Sequence, residues 1–266
     1  MVQNGLNKIH IKDYDLDFIK WGHGNKNLIM IPGLSYIMIP AQMERRKKFS
    51  EVYADEFTCF YPERKPNLSY GYTTEQMAED VFDFICALGL KEVFVQGFSQ
   101  GGMIGQWLAI NHPEIVKALV LTVTLSKPND MIKQTLVWAN EIEEGKPYDA
   151  LQRMQNDSYS NKWLDIHKDD EIELPPQNAR RPADQYKIMA KACTSHNAFN
   201  RLSEIKCPVL INGGWNDKVV SGEASIEMSL ALKCDTVMYE KLGHGLYEED
   251  LSYHERVFSW LKTHAN

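Results

Sequence analysis

Cysteine is scarce in this chain: five residues among 266, widely scattered, with no C-x-x-C pair. That excludes a disulfide framework and the common thiolate metal sites, so the five read as small buried hydrophobes in a reducing compartment. Basic charge is short as well. Lys and Arg total 29 against 36 for Asp and Glu, and the resulting net charge of -7 excludes a nucleic-acid footprint. The one basic cluster, Arg45-Arg46-Lys47-Lys48, reads as the solvated face of a helix. No apolar run reaches the ~20 residues that span a bilayer, and residues 1–7 carry no basic-then-apolar leader. A cytoplasmic protein without a membrane partner is expected. Also missing are G-x-x-x-x-G-K-[ST], H-E-x-x-H and a dinucleotide G-x-G-x-x-G. Neither a metal nor a cofactor is expected, and nothing in the sequence reports an oligomeric state.

What is present is a rhythm of strands and helices in a chain long enough for one large, well-buried α/β domain. Residues 8–12 and 15–21 alternate as an antiparallel pair would, around a turn at Asp13-Tyr14. The runs 28–31, 57–61, 93–95, 118–123, 209–212 and 236–239 read as further strands, the short apolar ones buried on both faces. Between them lie helical patterns: one with Thr74 as N-cap that stops at Gly89, then 103–111, 224–232 and 253–262. The sum is a mostly parallel, eight-stranded sheet with helices on both faces. The rhythm breaks over 126–199, which is helical, rich in Trp, Tyr and Met, and interrupted at Leu174-Pro175-Pro176. This stretch is expected to be a helical cap inserted in a core made of 1–125 and 200–266.

The motif with most chemical content is Gly97-Phe98-Ser99-Gln100-Gly101, between the strand at 93–95 and a helix. A G-x-S-x-G at a strand-to-helix turn is a nucleophile elbow: the serine is held in a strained conformation with its hydroxyl presented above the sheet. A serine hydroxyl needs a base, and the base needs an orienting acid, in the chain order Ser, Asp or Glu, His. His244, flanked by Gly243 and Gly245 after the last strand, is the candidate base, with the glycines permitting a sharp path. Asp217 follows the strand at 209–212 and is the candidate acid; Asp130, after the strand at 118–123, is the reserve. Backbone N–H groups of Gln100 and Leu34 are the expected oxyanion donors. Gln100 opens a helix, and Leu34 follows the turn of Pro32-Gly33, where Pro32 has no N–H to offer.

These segments together resemble the α/β-hydrolase fold superfamily in its cap-bearing branch of esterases, lactonases and C–C bond hydrolases. The resemblance covers nearly the whole chain. It rests on Ile31-Pro32-Gly33-Leu34, on 72–80, on 97–102 with His112-Pro113-Glu114, on Cys207-Pro208-Val209-Leu210 leading to Asp217, and on Gly243-His244-Gly245. Two departures stand out: Pro32-Gly33 where the family usually carries His-Gly, and Glu63-Arg64-Lys65-Pro66 in place of a glycine-rich loop. The resemblance implies a serine hydrolase acting on a small-molecule carboxylic ester through Ser99, His244 and Asp217. Met131, Trp138, Met154, Tyr159 and Trp163 of the cap are candidate pocket residues. A lactonase, C–C hydrolase or perhydrolase could use the same three residues. A ligand-binding protein with little turnover is the alternative of a different class.

Overall fold

In the computed structural model, which describes residues 3–265, all eight expected strands join one sheet in the order β1-β2-β4-β3-β5-β6-β7-β8. β1 (Gly5–Ile11) and β2 (Tyr14–Trp21) pair antiparallel, and β2 pairs antiparallel with β4 (Phe57–Pro62). All other neighbours run parallel: β3 (Lys26–Ile31), β5 (Val93–Phe98), β6 (Val116–Thr122), β7 (Val209–Gly214) and β8 (Asp235–Tyr239). The first turn falls at Lys12-Asp13, one residue before the expected place. Tyr14 already pairs with Ile11, and Lys12 takes the left-handed conformation at φ 54°.

The continuous apolar runs are explained by burial on both faces of the sheet. Ile29, Ile31, Val95, Leu119, Leu121 and Ile211 pack under α2 (Thr74–Ala87), α3 (Gln100–Asn111) and α8 (Gly222–Leu232). Their neighbours Leu28, Met30, Phe94, Val120 and Leu210 pack on the opposite side with Tyr53 and α10 (Ser252–Thr263). α3 is buried from Gln100 to Ile110, so no amphipathic stripe marks its start. The N-cap of α2 is Thr73, in a reciprocal capping box with Gln76, rather than Thr74. Thr74 is turned inward onto the buried His196.

Between β6 and β7 the chain forms α4 (Gln134–Glu143), α5 (Pro147–Ser158), α6 (Asn161–Ile166) and α7 (Ala183–Ser195). Trp138, Ile142, Ala150 and Tyr186 of this segment share one cluster with Tyr36, Met103, Leu125, Val219 and Val220. Met189 and Ala192 on α7 extend the main core itself. The segment is thus packed into the sheet's carboxyl edge. Two short helices complete the chain: α1 (Met43–Ser50) after β3 and α9 (Leu246–Glu249) after β8.

Two expectations from composition are corrected. Arg46 is not part of a solvated face: it pairs with Glu248, and its side chain is only 18% exposed. Arg45, Lys47 and Lys48 face solvent, although Arg45 also pairs with Glu248. Among the cysteines, Cys86 is exposed on α2, so it is not a core hydrophobe.

His196 bonds Thr74 Oγ1 at 2.9 Å and Gln106 Oε1 at 3.4 Å, and burial drives its pKa down to about 3. His254 is likewise lowered to about 4, by burial first, against the opposing hydrogen bond to the Tyr247 carbonyl. Both are neutral in the fold and ionise freely once unfolded, so the unfolded state binds more protons below the ordinary histidine value of about 6.5. Their contribution is complete above that pH and is lost as pH falls toward the folded values. Denaturant unfolding is expected to show a loss of up to about 2 kcal/mol per buried histidine between about pH 6.5 and about pH 5. His196→Gln should flatten that dependence; an unchanged slope would refute the assignment.

Candidate active site

Ser99 sits between β5 and α3 with φ 51° and ψ -118°, a conformation that costs a non-glycine residue about 1–3 kcal/mol. Neighbouring backbone holds it there. Its N–H donates to Thr122 O at 2.9 Å, and its carbonyl accepts from Gly102 N (2.9 Å), Met103 N (3.2 Å) and Thr124 Oγ1 (2.8 Å). A Cβ on Gly97 would lie 2.6 Å from Gly101 C, and one on Gly101 would lie 2.7 Å from Pro32 O. The elbow's glycines are therefore required by close approach, as the motif implied.

The same approach brings the loop after β3 to Ser99. A Cβ on Gly33 would lie 3.3 Å from Ser99 Cβ, while no left-handed φ occurs at this residue. Gly33 serves contact with the elbow rather than the turn expected of it. Leu34 follows it, half-buried between the main core and the cluster of the helical segment. The Gln100 N–H is at the first position of α3, where no intrahelical acceptor exists. The Gln100 side chain points elsewhere, its Nε2 donating to Met189 O (2.8 Å) and Cys193 Sγ (3.1 Å) on α7.

Asp217 and His244 meet directly. His244 Nδ1 is 2.8 Å from Asp217 Oδ2, with the two side chains 10% and 1% exposed. An ionised carboxylate only accepts, so Nδ1 carries the proton and a neutral imidazole keeps its Nε2 lone pair free. The other carboxylate oxygen, Oδ1, accepts from Val219 N (2.8 Å) and Val220 N (2.9 Å). The turn formed with those amides fixes the carboxylate and aims Oδ2 at the imidazole. Asp130 is remote from this pair, 95% exposed and bonded to Lys133. No hydrogen bond joins Ser99 Oγ to His244; such contacts commonly tighten only in a substrate complex.

The glycines beside His244 also differ from expectation. Neither has a left-handed φ. A Cβ on Gly245 would enter the Tyr159 ring at 2.6 Å, and Gly245 N donates to Ser158 O at 2.7 Å. The end of α5 thus lies directly on the histidine loop. Glu248 accepts from Tyr159 OH and from Arg45, and Glu249 accepts from Ser160 N at 3.0 Å.

Of the five candidate pocket residues, Tyr159 is brought against this loop, with Trp163 stacked on it at 3.9 Å. Trp138 is buried in the helical segment, donating to Asp157 Oδ2 at 2.9 Å, and Met154 packs against the same cluster. Met131 is 38% exposed at the start of a short turn. Glu63, Arg64, Arg181, Glu248 and Glu249 were not anticipated. Charged residues read as solvent-facing by default, and nothing in the local sequence marked these as turned inward. Among the described residues there is no cluster suited to a metal ion and no helix long and apolar enough to cross a membrane.

The comparisons with known proteins agree with this architecture. A protein of Caulobacter vibrioides whose name, carbamate hydrolase RutD, is provisional is 36% identical over 201 residues, covering 72% of this chain and 73% of its own. The 3-oxoadipate enol-lactonase 2 of Acinetobacter baylyi is 24% identical over 153 residues, and the match spans 56% of each protein. The chain similarly spans 57% of the carbamate hydrolase relative from Caulobacter sp.. Among solved structures, a thermophilic esterase from Thermogutta terrifontis superposes with a TM-score of 0.79 at 18% identity, covering 98% of this chain and 99% of that one. An α/β hydrolase from a Medee basin deep-sea metagenome gives 0.84 at 18% identity, over 96% and 97% of the two chains. Residues 58–251 match the family described as alpha/beta hydrolase fold, and the chain belongs to that family.

Proposed function

We propose that the chain is a serine hydrolase that cleaves a small-molecule carboxylic ester through an acyl-enzyme. The observation that carries this reading is the buried His244–Asp217 hydrogen bond at the carboxyl edge of a sheet whose elbow presents Ser99. Ser99 Oγ attacks the carbonyl carbon while His244 Nε2 takes its proton. Asp217 holds the imidazole in the required tautomer and stabilises the imidazolium. The N–H groups of Leu34 and Gln100 receive the oxyanion, the latter aided by the dipole of α3. His244 then protonates the leaving group, and water deacylates the enzyme by the same route in reverse.

The names of relatives support an acyl substrate more broadly. A carbamate, an enol-lactone and an ester share a carbonyl bonded to an electronegative leaving atom. A lactone is therefore the second substrate class to test. In this reading 126–199 is a cap over the nucleophile, with Tyr159 and Trp163 nearest the base and Met131, Trp138 and Met154 shaping the segment around them. Small-molecule access would pass between this segment and the strand ends.

Ser99 is expected to be the sole serine labelled rapidly by a fluorophosphonate, because only an activated hydroxyl attacks phosphorus readily. Mass spectrometry of the labelled peptide checks this. Ser99→Ala should abolish both labelling and turnover of a short p-nitrophenyl ester, and retained turnover would overturn the mechanism. His244→Ala should likewise prevent labelling in a folded protein.

Asp217→Asn should lower kcat by about a thousandfold or more. Asparagine Oδ1 can still accept from Val219 and Val220, but its amide then faces Nδ1 and selects the unproductive tautomer. Thermal unfolding should therefore change little while kcat collapses. Near-wild-type kcat would remove Asp217 from the mechanism.

A further inference from the structure

We propose that Arg64 is a positioning residue for the oxyanion donors, holding Pro32-Gly33-Leu34 and Gln100 in register from behind; this rests on the serine-hydrolase reading above. Arg64 lies just after β4 and is only 5% exposed. Burying a guanidinium is costly unless its charge and donors are well used. Here they are used poorly for stability. Nε has no partner, and the adjacent Glu63 spends its carboxylate on other groups. Glu63 accepts from Arg181 Nη2 at 2.6 Å, from Ile39 N at 2.8 Å and from the backbone N–H of Arg64 at 2.7 Å. Burial, with the like charge of Arg181 close by, pushes the Arg64 pKa down to about 10, so the group stays charged at neutral pH.

What Arg64 holds is the site's own framework. Its Nη2 donates to the Pro32 carbonyl and lies 3.5 Å from Gln100 Oε1. The Pro32 carbonyl belongs to the peptide unit that enters Gly33, the residue packed on Ser99. Fixing that plane fixes the path through Gly33 and hence the direction of the Leu34 N–H. Gln100 carries the second donor on its backbone, and its side chain is clamped between Arg64 and α7. One guanidinium therefore touches both carriers of the oxyanion donors without reaching the reacting atoms. Both contacts come from Nη2, set in place by the planar guanidinium; lysine keeps the charge and N–H donors but on a flexible stem without that fixed plane.

The test compares kcat/KM for p-nitrophenyl acetate with its thionoacetate counterpart in wild type, Arg64→Met and Arg64→Lys. Sulfur is larger and a weaker hydrogen-bond acceptor, so donors aligned for oxygen favour the oxygen ester. Arg64→Met should lower kcat for the ester about ten- to a hundredfold, with a smaller change in KM. It should also shrink the oxygen-to-sulfur preference by about fivefold or more, with Arg64→Lys intermediate. A merely structural role would depress both substrates together and leave their ratio alone. Circular dichroism establishes which variants fold, and Arg64→Lys is read by the same ratio if Arg64→Met does not. A ratio within about twofold of wild type in a folded variant overturns the proposal, as does a wild-type protein with no preference. Ser99→Ala separates the two layers: if it stays active the hydrolase reading itself fails. If it is inactive while the ratio holds, only the role of Arg64 is lost.

Discussion

The placement of Ser99 at the carboxyl edge of the sheet depends on the contact between the first turn of α3 and the end of β3. Gly101 lies so close to Ile31 and Pro32 that any side chain there would collide with their backbone. That contact holds Ser99 at a positive φ against a local cost of about 1–3 kcal/mol. It also sets Pro32-Gly33 beside Ser99. The elbow and the loop carrying Leu34 are in this sense one packing unit, and neither could shift without the other. The four backbone and threonine bonds to Ser99 over-determine the geometry, which is what lets a strained residue persist.

His244 is positioned by a different device. Asp217 divides its two oxygens between backbone and imidazole, so a short turn fixes the carboxylate that orients His244. On its other side the histidine loop meets the α5–α6 junction, where Gly245 leaves room for Tyr159. Glu248 and Glu249 then bond Tyr159 and Ser160, with Arg45 and Arg46 neutralising the buried Glu248 carboxylate. The helical segment and the histidine loop are consequently tied together at the residue that the proposed chemistry needs most accurately placed.

Much of this was legible in the sequence, and the reasons are specific. Strands buried on both faces appear as short apolar runs, so Leu28, Val95 and Leu119 betrayed the parallel sheet. The elbow was legible because its glycines are compulsory. Chain order singled out Asp217 and His244, whose side chains meet in the structure, although the reason for the glycines beside His244 was misread: the pattern shows that a side chain is absent, not what occupies its space. The N-cap at Thr73 was displaced by one because Thr74 is equally suited by type, and only the inward turn toward His196 distinguishes them. Arg46 was misread for a related cause. A charge in sequence carries no mark of whether a carboxylate 200 positions away will reach it.

The buried charges are where local sequence rules fail most completely, and their placement explains why. Glu63, Arg64 and Arg181 lie behind the loop after β3, and Glu248 with Arg46 lies behind the loop of His244. Apolar residues of the same volume would pack at least as well at either place, since a buried ion pair seldom repays its desolvation. Apolar packing, however, cannot fix the direction of a carbonyl or of a tyrosine hydroxyl. A charged hydrogen bond can, because its strength falls steeply when the angle is wrong. Directional groups are found where loops, rather than strands, must be held to a fraction of an ångström. The loops after β3 and β8 leave the backbone ladder of the sheet, and buried charge stands behind both.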